Sequence, residues 1–168
     1  MSDTNVTPEV ENAFEAPKAD LTNTSTEKPI LEMERFSAWG VFGLSIITFG
    51  IYWVYWMYTR ITQLNGLSEE KKVNVNYLNA YIGLYIVNLV FSIVNSQDTA
   101  IVIASGVISL VSFIVLMIVI FSARRVIEEV INKGSAEPVA LGGVMTFFFQ
   151  VIYFQYKINE AIDNQSNQ

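Results

Sequence analysis

Residues 39–58, WGVFGLSIITFGIYWVYWMY, contain no charged side chain. At about 1.5 Å per residue, a helix of that length crosses a hydrocarbon core of ~30 Å. No other feature restricts the fold so strongly, because such a run needs lipid or a deep protein core around it. Six of its last ten residues are aromatic. Tyr52, Trp53, Tyr55, Trp56 and Tyr58 are therefore expected as interfacial aromatics, with apolar bodies in lipid and polar tips in water. Gly40, Gly43 and Gly50 fall with Ile47 on one lean face suited to close helix packing. Thr48, Phe49 and Gly50 form a candidate re-entrant turn, since glycine is conformationally free and a threonine hydroxyl bonds freed backbone groups.

Three further apolar segments follow. In residues 77–94 the polar side chains are not scattered: Tyr77, Tyr81, Tyr85, Asn88, Ser92 and then Asn95 step at helical spacing along one face. Residues 100–121 carry Ser105, Ser109 and Ser112 on a matching face. The connection 95–99 is so short that these two segments must form an antiparallel hairpin. Together the two faces form a candidate helix-packing polar stripe, with interhelical bonds worth roughly 0.6–2 kcal/mol each. Residues 122–133 continue as an amphipathic helix, with Val126, Ile127, Val130 and Ile131 opposite Arg124, Glu128, Glu129 and Lys133. Thr59 to Asn76 reads as a polar loop containing a short capped turn at Ser68. The last apolar segment is 139–156.

Composition agrees with these runs, since 52% of residues are hydrophobic and 15% are charged, against about a quarter charged in soluble globules. The net charge of −6 is confined to one place. Residues 1–34 hold eight acidic and two basic side chains, and the rest of the chain holds eight of each. That composition predicts a disordered acidic tail over 1–34, an integral-membrane helical domain over 35–163 and a disordered end over 164–168. Residues 12–21, NAFEAPKADL, are the only patterned part of the tail. The acidic start with no apolar run is no secretory signal, and an acidic chain is no partner for nucleic acid.

The sequence contains neither cysteine nor histidine. Disulfides, zinc and haem sites, thiol nucleophiles and imidazole bases are thereby excluded. Glu69-Glu70 and Glu128-Glu129 are adjacent on their elements and do not face each other, so they read as a solvated charged surface. Gly142-Gly143 lacks the Lys-Ser or Lys-Thr of a phosphate loop. No ionisable Asp, Glu, Lys or Arg lies inside an apolar segment, which disfavours proton-coupled transport. The chain is expected not to be an enzyme and to need no cofactor or metal. Its expected partners are the lipid bilayer and either itself or another membrane protein.

Tyr55-Trp56-Met57-Tyr58-Thr59-Arg60-Ile61 returns as Tyr153-Phe154-Gln155-Tyr156-Lys157-Ile158-Asn159, with Thr48-Phe49 and Thr146-Phe147 seven residues before the first tyrosine of each. Tyr153 and Tyr156 thus join the expected interfacial aromatics. Six of the ten basic residues lie in 59–76 and 122–138, and none lies in 95–99. The positive-inside rule then puts the first two loops in the cytoplasm and the third outside. Either all four segments span with both tails outside, or 36–58 and 139–156 dip in and return with every Lys and Arg inside. The second layout is favoured, because it puts both Tyr-x-x-Tyr ends on one face and exports no acidic arm. Arg60, Lys71, Lys72, Arg124 and Arg125 form a candidate collar for lipid headgroups.

Phe36-Ser37-Ala38-Trp39-Gly40, Ser45-Ile46-Ile47-Thr48-Phe49-Gly50-Ile51-Tyr52 and Tyr55-Trp56 resemble the signature of the bacterial membrane family called domain of unknown function 4234. The segment Leu141 to Asp163 is similar to the closing part of its gammaproteobacterial members. The resemblance implies a multi-pass protein of the bacterial cytoplasmic membrane and brings no activity with it. The fold class expected is all-α, a central transmembrane hairpin (77–94 and 100–121) flanked by two similar aromatic-rich segments. Two functions stand: a non-enzymatic accessory or interaction protein, or a small oligomeric channel or carrier lined by the Tyr77–Asn95 face.

Overall fold

A computed structural model describes residues 28–94 and 98–167. Among them every regular element is helical: a 3-10 turn over Pro29–Glu32, then α1 (Ala38–Ile47), α2 (Ile51–Leu67), α3 (Val75–Val94), α4 (Thr99–Asn132) and α5 (Gly143–Ser166). Two of these, α3 and α4, are long and apolar enough to cross a membrane.

The uncharged stretch 39–58 is not one helix. It breaks after Ile47, where Phe49 and Gly50 take φ of +52° and +90°. Gly50 tolerates this conformation because it has no Cβ, whereas Phe49 is held there at a cost of about 1–2 kcal/mol. Before the break, the Phe36 ring lies 6.3 Å from that of Tyr52. In a straight helix the sixteen intervening steps would separate those residues by ~24 Å, so the chain reverses. α5 reverses as well. Gln150 has φ +41° and ψ −118° inside it, and the Gly142 N–H donates to the Tyr153 hydroxyl at 3.0 Å across the bend.

The core sits at one end of the molecule. Met57, Ile61 and Leu64 of α2, Val126, Ile127, Val130 and Ile131 of α4, and Phe154, Ile158 and Ala161 of α5 are all buried, at the three- and four-residue steps of helix faces turned to each other. Ile30 and Met33 complete this core at 0% and 3% exposure. The folded body therefore takes in residues before 35; residues 1–27, with the 12–21 motif, lie outside the described residues. The expected loose end at 164–168 is also corrected, since α5 runs to Ser166 and Gln165 donates to the Ile131 carbonyl at 2.7 Å.

Two loop readings change too. α2 continues to Leu67, so residues 59–67 of the supposed polar loop are helix, and the turn at Ser68 is extended and not helical. Met57, Ile61 and Leu64 hold α2 together there, because burial of an apolar face outweighs the polar residues on its other side. As expected, the helix after residue 121 continues unbroken, and Gly134 with φ +76° follows its end.

Candidate functional site: the broken segments and their fastenings

The break between α1 and α2 keeps its backbone polar groups bonded. The Thr48 hydroxyl donates to the Leu44 carbonyl at 2.7 Å and accepts from the Tyr52 N–H at 2.9 Å. Gly50 N–H donates to the Ser45 carbonyl at 2.7 Å. The Phe49 carbonyl accepts from the Tyr85 hydroxyl at 3.0 Å. Tyr85 stands at the middle of α3, so the turn reaches half the height of that helix. A side chain at Gly50 would bring its Cβ to 3.1 Å from the same hydroxyl. Gly40 has a different reason: the Phe36 ring folds back over it, 3.3 Å from where a Cβ would stand. Gly43 faces open space, so the three glycines do not make one packing face.

α5 follows the same course against α4. A Cβ at Gly143 would lie 3.6 Å from the Arg124 guanidinium and 4.0 Å from the Phe121 ring. Four residues later Phe147 meets Phe113, ring to ring at 6.3 Å, which is ~12 Å further along α4. After Gln150 the helix returns to Ile131. The bends lie at Phe49-Gly50 and at Gln150, so they are two to three residues out of register with the matching Thr-Phe pairs.

The two returning arms are joined by a buried polar chain. Trp56 Nε1 donates to Gln155 Oε1 at 2.8 Å, and Gln155 Nε2 donates to Asn159 Oδ1 at 2.9 Å. Trp56 is 4% exposed and Gln155 0%. Trp56 is thus an internal fastening and not an interfacial ring. Tyr153 also turns inward, to Gly142. Tyr52 and Trp53 are half-buried, and Tyr55, Tyr58 and Tyr156 are exposed.

Asparagine fixes each place where the chain enters α1, α3 and α5. Asn159 accepts from Phe36 N–H at 3.4 Å and donates to Phe36 C=O at 2.6 Å. Asn65 treats Val73 in the same way, at 2.8 and 2.8 Å, and Asn132 treats Val139 at 2.7 and 3.0 Å. An amide is the one small side-chain group that answers both halves of a peptide unit.

Glu69 and Glu70 are exposed, as a solvated charged surface requires, but Glu128 and Glu129 are not part of one. Glu129 accepts from the N–H groups of Glu69, Glu70 and Lys71 at 2.7, 2.9 and 2.8 Å. Burial alone would raise its carboxyl, but the bonds from Glu70, Ser68, Glu69 and Lys71 outweigh this and bring it down to about 2. Glu128 turns the other way, to the Leu141 N–H at 2.7 Å and Arg124 at 3.1 Å. Glu69 pairs with Lys133 at 2.7 Å. The reading failed at Glu129 because three successive N–H groups in an extended turn attract a carboxylate more strongly than water does.

The polar stripe divides between two neighbours. Tyr81 is buried against Trp53, at 5.7 Å between rings, and Tyr85 serves the α1–α2 break. Asn88 alone bridges to α4, donating to the Ser112 hydroxyl at 2.9 Å and accepting from that of Ser109 at 2.8 Å. Ser92 and Ser105 bond to carbonyls of their own helices, Tyr77 is exposed, and Asn95 lies outside the described residues. In the basic collar, Arg124 is paired with Glu128, Lys72 donates to the Asn65 and Ser68 carbonyls, and Arg125 to Ser122. Lys71 is exposed, and Arg60 bonds to Gln63 and to the Glu34 carbonyl. Among the described residues no group of three or more acidic side chains could hold a metal ion.

No curated protein and no solved structure matches the chain. A family model matches residues 36–164, a region that starts at the Phe36 clamp, takes in both broken segments and the α3–α4 pair, and ends within α5. The chain belongs to the family described as a domain of unknown function, DUF4234.

Proposed function

We propose that this chain is a multi-pass protein of the bacterial cytoplasmic membrane with a non-enzymatic accessory or interaction role. In this reading α3 and α4 span, while residues 36–58 and 139–156 enter to mid-depth and return. Both tails and every Lys and Arg then lie on the cytoplasmic side, with the 95–99 connection outside. The observation that carries the layout is the break at Phe49-Gly50, at the level of Tyr85 in mid-α3 with its polar groups bonded to protein. Irregular backbone at membrane depth is tolerated only where protein or a water-filled cavity satisfies it.

The accessory role follows from how the polar side chains are spent. Asn88, Gln155 and Glu129 each fasten one segment to another and are not gathered into an acid–base set. The channel reading is weaker because Asn88 faces two serines of the adjoining helix and no lumen. Purified protein reconstituted in liposomes tests this. The accessory role predicts no solute flux above empty vesicles, and Asn88→Leu only loosens the fold. Flux in the wild type that Asn88→Leu abolishes would establish the channel.

A further inference from the structure

Several basic side chains from Lys28 onward are neutralised by carboxylates. Arg35 is paired with Asp163, Arg124 with Glu128, Lys133 with Glu69 and Lys157 with Glu160. Arg60, like Lys28, Lys72 and Arg125, bonds to neutral oxygens instead. Its two bonds, to Gln63 Oε1 and the Glu34 carbonyl at 3.0 Å each, leave over three of the five guanidinium N–H donors. Those two bonds fix the plane of the group beside a cavity of about 300 Å³. Glu34, Phe36, Tyr52, Tyr55 and Trp56 share that cavity with it. The rings form a connected wall, Phe36 to Tyr52 at 6.3 Å and Tyr52 to Tyr55 at 5.8 Å.

From this juxtaposition we propose that the cavity binds the headgroup of an ethanolamine phospholipid. The phosphate takes the free donors of Arg60, a planar fork suited to phosphate oxygens. The primary ammonium takes the Glu34 carboxylate and the faces of the Tyr52 and Tyr55 rings. A carboxylate in the cavity disfavours a purely anionic headgroup, and a choline headgroup has no N–H to offer it. A lipid is favoured over a free phosphoethanolamine because Ile51 and Tyr55, one helical turn apart and 58% and 60% exposed, continue an apolar strip from the cavity along α2. The site rests on the membrane layout proposed above, which puts Arg60 two residues beyond the aromatic end of the segment, at headgroup level.

The test is native mass spectrometry of the full-length protein released from vesicles holding equal phosphatidylethanolamine, phosphatidylcholine and phosphatidylglycerol. The expected result is one ethanolamine lipid retained per chain, with about tenfold preference over either competitor. Arg60→Gln and Glu34→Gln lose that preference, and so does Tyr55→Leu, whose side chain is 60% exposed. Equal retention of the three lipids, or preference unchanged in Arg60→Gln and Glu34→Gln, would overturn the proposal. Binding of soluble phosphoethanolamine with no lipid preference would overturn the lipid as its source. If the membrane assignment itself fails, the protein will be recovered from cells in the aqueous fraction without detergent, whatever it binds.

Discussion

α4 passes through two surroundings. From Thr99 to Ile118 most of its large side chains are exposed, among them Val102, Ile103, Val107 and Leu110 at 54–62%. From Val119 to Ile131 its Val and Ile residues are buried at 3% or less. The residue types hardly change between the halves. What changes is how fully the helix is enclosed, since the upper half has α3 and the Phe147 end of α5 beside it, while the lower half is surrounded by α2, the returning arm of α5 and the Pro29–Glu32 turn. Apolarity thus serves solvent compatibility in the upper half and cohesion in the lower. In a bilayer, packing against lipid and packing against Leu differ little, so only the lower half gives stability through burial.

The comparison breaks most sharply at Phe154 and Leu110. Phe154→Ala in the lower core costs about 3–5 kcal/mol by the cavity it leaves, whereas Leu110→Ala in a bilayer costs under about 1 kcal/mol, because lipid fills the space. Unfolding of both variants in bicelles measures the contrast. A cost at Leu110 equal to that at Phe154 would mean that the upper half is packed against a protein partner.

Next in size are the fastenings of the lower end. Asn132→Asp keeps the shape but loses the N–H that meets the Val139 carbonyl, leaving an unmatched acceptor beside a new charge. A loss of about 1–3 kcal/mol is expected, with Asn132→Ser no better, and unfolding midpoints in detergent would show it. A cost near zero would show that the clamp does not hold the entry to α5.

Glu129 gives a smaller effect with a pH signature. Its carboxyl lies at about 2 in the folded protein against 4.5 ordinarily. The stabilisation is therefore complete above pH ~4.5 and is lost as the pH falls toward ~2. Allowing for solvent screening at a partly exposed group, Glu129→Gln costs about 1 kcal/mol at neutral pH. Thermal scans should show that the variant lacks the acid-dependent loss of the wild type over that interval. A parallel fall in both would assign the acid sensitivity elsewhere.

Much of this organisation is legible in the residues. The two long apolar helices α3 and α4 follow from two apolar runs, and the stripe Val126, Ile127, Val130, Ile131 from its period. Thr48-Phe49-Gly50 is readable as a break because glycine and threonine have local reasons to be there. The break at Gln150 has no such sign. It sits among Phe147, Phe148 and Phe149 with no glycine, and tertiary contacts with Phe113 and Tyr153 impose it. The asparagine clamps were equally hidden, since each pairs residues seven or more positions apart and any polar loop supplies asparagines. Trp56 misled for a related reason: its composition matches an interfacial belt, and only the approach of Gln155 from ninety-nine residues away makes it internal.

The central claim is that the two broken segments enter and leave by the same face. The cysteine-free sequence allows single cysteines at Ser2, Gly66, Asp98 and Glu137, of which Gly66 has open space around its missing Cβ and Asp98 and Glu137 are exposed. Intact cells would be labelled with a membrane-impermeant thiol reagent. Labelling of Asp98→Cys alone is the predicted result. Labelling of Ser2→Cys as well would contradict it in favour of four full spans, and labelling of Gly66→Cys or Glu137→Cys would overturn the orientation itself.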